Sequence, residues 1–524
     1  MYEKVPRSQT SDGKFLQVRW VDVNKGDDVN YNVRSRIVGK EFKSADPFMT
    51  CTFAATPPWE CVRMLLSLAL VVGPTDRRPR KKILLLDASR ARFHPEIRRK
   101  LYIELPEEDA EDGMVGRLLR TMYGTRDAAA AWNDFVEEKM KVAGYEAGRA
   151  TPCSYRRIIA NADGCGHAPY QGQDGGLVHG DDFMLVAEEP ELLRLEAELQ
   201  KHMILKQKAL LEPDEADDKT ASFLNRLLTY RVDAYGECSI EIEPNPRHAK
   251  LIIRDLGLEG SSGHANRTKP VVTPGEKNGD YFDDRPLAGT QAKIYRSVCM
   301  RLGYLAQDAP HLQFAANKAC KHMSNPISGG WNRLKRVARF LVGAPRALQV
   351  FRQQVAPTKL VMKVDSDWAM DLLDRKSTSA TYLFHGCNLI RSATSTQTVV
   401  ALSSGEAEFS AFVKGTSIGL GAVSLFEDLG AGTLRLVVET DSSAAKGIAS
   451  RRGVGKVRHL HTPLLWVQNL VAQKKLDVRK IDGKKNIADL GTKDLDQSKM
   501  QQFLSGCGYE FRNGRHPLAL EVQS

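Results

Sequence analysis

Leu177-Val178-His179-Gly180-Asp181-Asp182-Phe183-Met184-Leu185-Val186 sets two short apolar runs on either side of a Gly-Asp-Asp turn. That order predicts a β-hairpin with paired carboxylates at its tip. Gly180 lets the backbone bend sharply enough to present neighbouring acids together at a sheet edge. Two adjacent acids on an otherwise buried hairpin repel each other, and a divalent cation relieves the repulsion. A solvated Gly-Asp turn accounts for the same residues, so the hairpin alone leaves both readings open. A third acid in matching context favours the metal. Ile83-Leu84-Leu85-Leu86-Asp87 reads as a buried central strand delivering Asp87 to a site, against an Asp87 that simply caps the next segment.

With 524 residues the chain has room for two or three domains, and 42% apolar content is ordinary for soluble folded protein. Lys and Arg number 75 against 64 Asp and Glu, a formal charge of +11 and a pI near 9.1. The excess favours a polyanionic partner, nucleic acid foremost, although generic basicity is common. Nine cysteines, scattered from Cys51 to Cys507 without a C-x-x-C pair, fit neither a disulfide framework nor a zinc site. They suit an intracellular, reducing compartment. The polar N-terminus carries no signal peptide pattern. The longest apolar run, 64–72, is too short for a bilayer and predicts a buried helix, so no membrane partner is expected.

Residues 15–20 predict a strand and 34–42 a basic one, on which Arg36, Val38 and Lys40 alternate to one side. Those cations suit a triphosphate or a solvated face. Pro57-Pro58 opens a predicted helix running through Val72. A short strand is expected at 102–105, ended by Pro106, and a helical stretch over 115–145, broken at Tyr123-Gly124. Leu192, Leu195, Leu199 and Met203 have the 3-4-4 spacing of an amphipathic helix. This order fits an α+β layer. An acidic loop at 212–219, a helix at 246–258 and a Gly/Ser/Pro/Asp-rich linker at 260–290 follow. Over 295–341 a helical pattern interleaves Lys318, Lys321, Arg333, Lys335, Arg336 and Arg339, either along a nucleic-acid backbone or on a solvated face.

A further domain is expected from about Lys359, with a strand ending at Asp365 and two more at 381–384 and 388–392. Ser403 with Glu406 forms a capping box at a helix start, which leaves Glu408 free for chemistry. Residues 434–438 predict a strand with Asp441 opening the next helix, and 476–481 a strand before Asp489, which opens a final helix. Each acid alone reads as a cap. Asp365, Glu408, Asp441 and Asp489 together, at element ends in β-β-β-α-β-α order, read as a two-metal phosphodiester-hydrolase site.

Arg36-Ile37-Val38-Gly39-Lys40-Glu41-Phe42, Phe53-Ala54-Ala55-Thr56-Pro57, Leu86-Asp87, Met122-Tyr123-Gly124, Ala131-Trp132 and Gly180-Asp181-Asp182 resemble the reverse transcriptase of copia-type retrotransposons. Asp365-Ser366-Asp367-Trp368-Ala369, Asp374-Arg375-Lys376-Ser377-Thr378, the Ser403-Ser404-Gly405-Glu406-Ala407-Glu408-Phe409 block, Thr440-Asp441-Ser442 and Ala488-Asp489-Leu490-Gly491-Thr492-Lys493 resemble the RNase H that follows it. The ordered series, over about residues 15–495, carries the resemblance. It implies an α+β right-hand polymerase (fingers, palm and thumb) followed by an α/β RNase H-like domain. Fingers and palm would occupy 1–240, a thumb- or connection-like helical region with linker 241–355, the RNase H-like domain 356–495, and a C-terminal tail 496–524.

The resemblance further implies that Asp87, Asp181 and Asp182 are catalytic metal ligands. Two Mg2+ (or Mn2+) ions there would activate the primer 3′-hydroxyl and stabilise the leaving pyrophosphate. Arg36 and Lys40 would neutralise the phosphates of the incoming nucleotide. Asp365, Glu408, Asp441 and Asp489 would hold the metals that cut the RNA strand of an RNA–DNA hybrid, recognised by its 2′-hydroxyl and shape. Implied partners are an RNA template, a DNA primer, the hybrid, dNTPs, and the capsid and integrase of the same element, in cytoplasmic particles or the nucleus.

His179-Gly180-Asp181-Asp182 stands where the family usually has Tyr-Val-Asp-Asp. The aromatic gate against ribonucleotides, usually five residues past Asp87, is replaced by Arg92, with Phe93 one later, so these two are the expected sugar-facing residues. Without capsid, protease or integrase patterns, the chain is expected to be the C-terminal part of a longer polyprotein or a truncated copy. Two alternatives accompany an active polymerase with RNase H. One is a silent descendant that only binds nucleic acid, suggested by the altered segment 90–94. The other is a working RNase H beside a dead polymerase.

Overall fold

The computed structural model describes residues 1–24, 31–42, 52–73, 76–158, 174–213, 219–259, 269–277, 279, 281, 283–344, 346–371, 374–455, 462–514 and 516–518. Most of the expected acidic loop, the first part of the expected linker and the last residues of the chain lie outside them.

Six antiparallel strands carry the Gly-Asp-Asp hairpin, in the order Leu205–Leu211, Lys82–Ala88, Asp182–Ala187, Gly175–His179, Ser154–Arg157 and Tyr145–Ala147. The 83–86 run is internal, as expected, and buried on both faces. Leu84 and Leu86 share a core with the helices Ala128–Val142 and Glu189–Gln200, whereas Ile83 and Leu85 share one with the helix Trp59–Ala69. Double burial is why this run shows no polar alternation.

Three local expectations need correction. The helix after Pro58 stops at Ala69, and Val71–Val72 instead pairs in parallel with Gln354–Val355. Residues 114–118 are not helical: Met114–Leu118 is a strand between Tyr2–Pro6 and Leu101–Ile103. Gly116 sits where an added Cβ would lie 2.9 Å from the Ile103 side chain, a close approach that suits a pleated sheet. The third concerns the C-terminus. A sheet in the order Thr220–Phe223, Arg226–Val232, Cys238–Pro244, Arg346–Arg352 and Tyr509–Arg512 runs through the expected boundary at 240. It recruits the end of the chain, so residues 497–512 form a helix, Gln497–Gly506, and an integral edge strand rather than a tail.

The helices Gly289–Leu305, Pro310–Cys320 and Ser328–Gly343 replace the single helical pattern over 295–341. Several of their cations are paired with acids from elsewhere in the chain rather than standing on a free solvated face. Lys321 pairs with Asp371 at 2.5 Å and Asp374 at 2.7 Å, Arg333 with Asp494 at 3.2 Å, and Arg336 with Glu276 at 2.8 Å. Lys318 lies 3.8 Å from the buried Asp367.

The second domain is a five-stranded sheet in the order Asn388–Thr396, Thr378–His385, Lys359–Ser366, Arg435–Thr440 and Leu476–Lys480, the first three antiparallel and the rest parallel. The helix Ser404–Asp428 lies across it. By length and composition this helix would suffice to cross a membrane, yet Phe409, Phe412 and Phe426 are fully buried in the core. Side chains at Gly415 and Gly419 would strike Val364 and Leu436, at 2.4 and 2.6 Å, so the two glycines set how closely helix and sheet approach.

One buried polar joint ties the parts together. Arg63, on Trp59–Ala69, donates to the carbonyls of Ile390 at 3.4 Å and Gln307 at 2.9 Å and lies 3.5 Å from Asp308. Arg226 closes on the same Asp308 at 2.8 Å. Ser67 Oγ and His385 Nδ1 are hydrogen-bonded at 2.9 Å nearby. The helix Trp59–Ala69, the turn between the helices Gly289–Leu305 and Pro310–Cys320, and the second domain thus meet at charges that cannot separate without exposing one another.

Candidate active sites

The hairpin turn is built as expected. Gly180 has φ +67°, a left-handed conformation that a side chain disfavours. The fully buried Trp132 donates its indole N–H to the Gly180 carbonyl at 2.6 Å, so the helix Ala128–Val142 pins the turn from below. In the antiparallel register Asp182 stands directly opposite Asp87. Asp181 is exposed at the tip, its carbonyl accepting from the Ala88 amide at 2.8 Å.

A lysine stands between two of these acids. Lys208 Nζ lies 3.1 Å from Asp87 and is also paired with Asp182. The register of Leu205–Leu211 against Lys82–Ala88 slips between Gln207 and Ala209, so Lys208 is the bulged residue. A bulge re-aims a side chain off the regular alternation, and no spacing rule in the sequence identifies it. Burial works against the ammonium, but Asp182 and Asp87 outweigh it and hold the Lys208 pKa above its usual value. The ammonium cancels the repulsion that a divalent ion would otherwise cancel. Lys208→Met is therefore expected to cost on the order of 1 kcal/mol without metal and far less with saturating Mg2+. Equal losses of melting temperature in both buffers would refute this bridging role.

Arg36 lies on Val33–Gly39 with its guanidinium 5.3 Å from the Tyr123 ring centre, and Tyr123 in turn meets Phe93 edge-on at 5.3 Å. Lys40 falls one residue past that strand, so the expected alternation ends before it. The motif residues around it have a packing reason. A Cβ on Gly124 would come 2.1 Å from the Gly39 carbonyl. Glu41, its side chain fully buried, accepts from Arg99 at 2.7 and 2.6 Å, from Lys14 at 3.0 Å and from the Arg126 amide at 2.9 Å. Burial alone would raise the Glu41 pKa, but these donors overcome it and bring it down to about 2.

Arg92 and Phe93 share the short turn Ala91–Phe93 after Asp87. Burial lowers the Arg92 pKa, against the charges of Tyr123 and Asp181. The structure therefore sets Arg92 within the field of the hairpin and Phe93 against Tyr123.

In the second domain Asp365, Glu408 and Asp441 bring carboxylate oxygens within 4.8 Å of one another. Asp365 comes from the central strand and is 1% exposed. Glu408 stands one turn into its helix, which Ser403 caps by accepting from the Glu406 amide at 3.2 Å. Glu406 in turn accepts from the Leu402 amide at 2.7 Å, a structural task of the kind expected, made one residue before the N-cap amide that a capping box would use. Asp441 follows Arg435–Thr440, and a Cβ on Gly483 would come 2.8 Å from its carboxylate. Glu408 Oε2 is buried with no hydrogen-bond partner, as an acceptor reserved for a cation would be.

Burial, together with Asp365 and Asp441, pushes the Glu408 pKa up to about 9. Burial and the charges of Asp489 and Asp441, partly offset by Lys493 and Thr492, push that of Asp365 to about 6. Raised acids hold protons in the folded chain that the unfolded chain has already lost. Metal-free stability is therefore expected to fall as pH rises, through Asp365 up to about pH 6 and through Glu408 up to about pH 9, by up to about 1.4 kcal/mol per pH unit for each group within its own window. Mg2+ should flatten the slope, because ligation replaces the protons. A pH series of urea midpoints with and without Mg2+ checks this, and parallel profiles would contradict it.

Asp489 is not joined to the cluster. It lies in the short turn Ile487–Gly491 rather than at the start of the final helix, and its two oxygens are held by Lys493 at 2.5 Å and Lys499 at 3.1 Å. Lys493 also lies 3.6 Å from Asp365. Lys499, like Lys208, lies outside the sequence motifs, and Lys493 closes one of them without a role having been expected of it.

A family model described as reverse transcriptase (RNA-dependent DNA polymerase) matches residues 4–165. The chain is 23% identical over 498 residues to the retrovirus-related Pol polyprotein from transposon TNT 1-94 of Nicotiana tabacum, covering 93% of this chain and 35% of that protein. Over 40% of its length it is 29% identical to the Pol polyprotein from transposon RE2 of Arabidopsis thaliana, 14% of which is covered. Among solved structures, a foamy viral protease-reverse transcriptase in complex with double-stranded DNA superposes with a TM-score of 0.50 at 12% identity, covering 89% of this chain and 65% of that one.

Proposed function

We propose that the chain is a reverse transcriptase of the copia-type retrotransposon kind, an RNA-directed DNA polymerase that also cuts the RNA strand of the hybrid it makes. The family match over residues 4–165 and the likeness to the transposon Pol polyproteins support the polymerase part. The chain spans 35% of the length of the TNT 1-94 polyprotein, so template, primer and element partners belong to this reading too. The observation that carries it is the cluster of Asp365, Glu408 and Asp441 with its orphaned acceptor, beside a separate Asp87–Asp182 pair that Lys208 bridges on another sheet; Asp181 stands apart at the hairpin tip.

In the palm, Asp87, Asp181 and Asp182 would hold Mg2+, with Lys208 yielding its place. Bound metal would lower the pKa of the primer hydroxyl and neutralise charge on the departing pyrophosphate. Trp132 fixes the hairpin turn and the Lys82–Ala88 strand sets Asp87 opposite Asp182, while Arg36, Tyr123 and the edge-on Phe93 would give the nucleotide's phosphates and sugar a wall. Arg92 beside Phe93 puts a cation where the family has an aromatic, so sugar selection would rest on Phe93. In the second domain Asp365, Glu408 and Asp441 would hold the metals for hydrolysis, with Asp489 as a fourth ligand once released from its lysines.

The test is dNTP incorporation on poly(rA)/oligo(dT) by the purified chain. Mg2+-dependent extension is expected, with a loss of at least about a thousandfold in Asp181→Asn. No extension by the parent protein, with hybrid binding intact, would sink the polymerase reading and leave the silent binder or the lone nuclease.

A further inference from the structure

A cavity of about 570 Å3 opens between the thumb helices and the second domain, within the roughly 300–1,000 Å3 range of small-molecule sites. Tyr281, Phe314 and Leu495 give it aromatic and apolar walls, and Lys493 and Lys499 line it together with Asp371, Asp494 and Asp496, of which Asp371 is paired with Lys321 and Asp494 with Arg333. Arg333 holds the Tyr281 ring in place, 3.9 Å from its centre. The Tyr281 hydroxyl is buried without a hydrogen-bond partner. Rings for a planar group beside two ammonium groups are the recognition chemistry of a nucleotide.

Asp489 shares this wall. It is 3% exposed, and the same Lys493 and Lys499 occupy both of its oxygens. We propose that the cavity binds a 5′-nucleotide, whose phosphate draws Lys493 and Lys499 from Asp489 and so frees that carboxylate to complete the metal site of Asp365, Glu408 and Asp441. The reasoning is an exchange of ions. A phosphate dianion takes two ammonium groups, and a bare buried carboxylate beside Asp365 then favours a divalent cation. Nucleotide and metal must tighten each other's binding by the same factor. The inference rests on the nuclease reading of the acid cluster. The nucleotide is either a free effector or a residue of the RNA strand next to the cut.

The experiment uses the full chain carrying Asp87→Asn and Asp181→Asn, so that the palm takes neither metal nor nucleotide. Adenosine 5′-monophosphate is titrated calorimetrically with and without Mg2+, beside adenosine and inorganic phosphate as probes lacking one half of the ligand. Adenosine monophosphate is expected to bind more tightly than either, and about fivefold or more tightly with Mg2+. Tyr281→Ala and Lys499→Met should each weaken it about tenfold, and Tyr281→Phe, which keeps the ring and removes only the unpartnered hydroxyl, by less. Asp489→Asn should retain nucleotide binding and lose the Mg2+ enhancement.

No binding, binding indifferent to Tyr281→Ala, or coupling that survives Asp489→Asn would each overturn the proposal. Slower hybrid cleavage on adding the mononucleotide would identify the RNA strand as the source, and faster cleavage at limiting Mg2+ a free effector. Absence of hybrid cleavage with binding and coupling intact would remove the nuclease reading while leaving the cavity assignment standing.

Discussion

Asp441→Asn is expected to reduce cleavage of the RNA strand of a hybrid by at least about a thousandfold, about 4 kcal/mol of barrier, while primer extension stays within about twofold. Asp441 is the least encumbered member of the cluster. It is half-buried, follows the end of its strand, and contributes an oxygen to the group of three. Asparagine keeps its shape and removes the charge that ligation needs. The palm acids stand on a different sheet, so the loss should not spread to them. Asp181→Asn gives the mirror result, losing extension and keeping cleavage. Both activities falling together in either variant would show that the two sites are not independent, and the assignment of separate chemistries would fail.

Asp308→Ala is expected to destabilise the chain by about 3–5 kcal/mol, because it strands two buried guanidinium groups. Arg63 and Arg226 are 4% and 6% exposed and converge on this one carboxylate. Their remaining partners are carbonyls and the ring of Trp59, 3.9 Å from Arg226, which do not neutralise charge. The joint holds the helix Trp59–Ala69, the turn at Gln307-Asp308 and the second domain at one point, so extension and cleavage should be lost together on mild warming. Asp308→Asn, which keeps hydrogen-bond acceptance, should lose less. The check is the urea midpoint followed in parallel by both activities. An unmoved midpoint in Asp308→Ala would show that the joint is not structural.

Much of both sites was legible because the signals are local. The apolar run 83–86 ending in Asp87 could be read as a central strand because burial on both faces removes polar alternation. The Gly180 turn and the Ser403 cap follow from backbone chemistry within a few residues. Residues 115–118 misled because Val115 and Leu118 are spaced like one helix face, while the strands Tyr2–Pro6 and Leu101–Ile103, far along the chain, supply the hydrogen bonds that make them a strand. The cations over 318–339 invited a nucleic-acid reading because their acidic partners, Asp371, Asp374 and Asp494, lie up to 161 residues away.

The sequence by itself determined the strands that bring Asp87, Asp365 and Asp441 to their ends, the Gly180 hairpin and the cap that precedes Glu408. Only the tertiary structure decided what sits beside each acid in space. It placed Lys208 by a bulge, set Lys493 and Lys499 against Asp489, brought Glu408 to Asp365, and returned the C-terminal strand to the sheet of Arg346–Arg352. The physical reason is range. Turn geometry, capping and periodicity act over a few residues and are written in the chain, whereas Coulomb energy depends on distance through space and on the water that folding excludes.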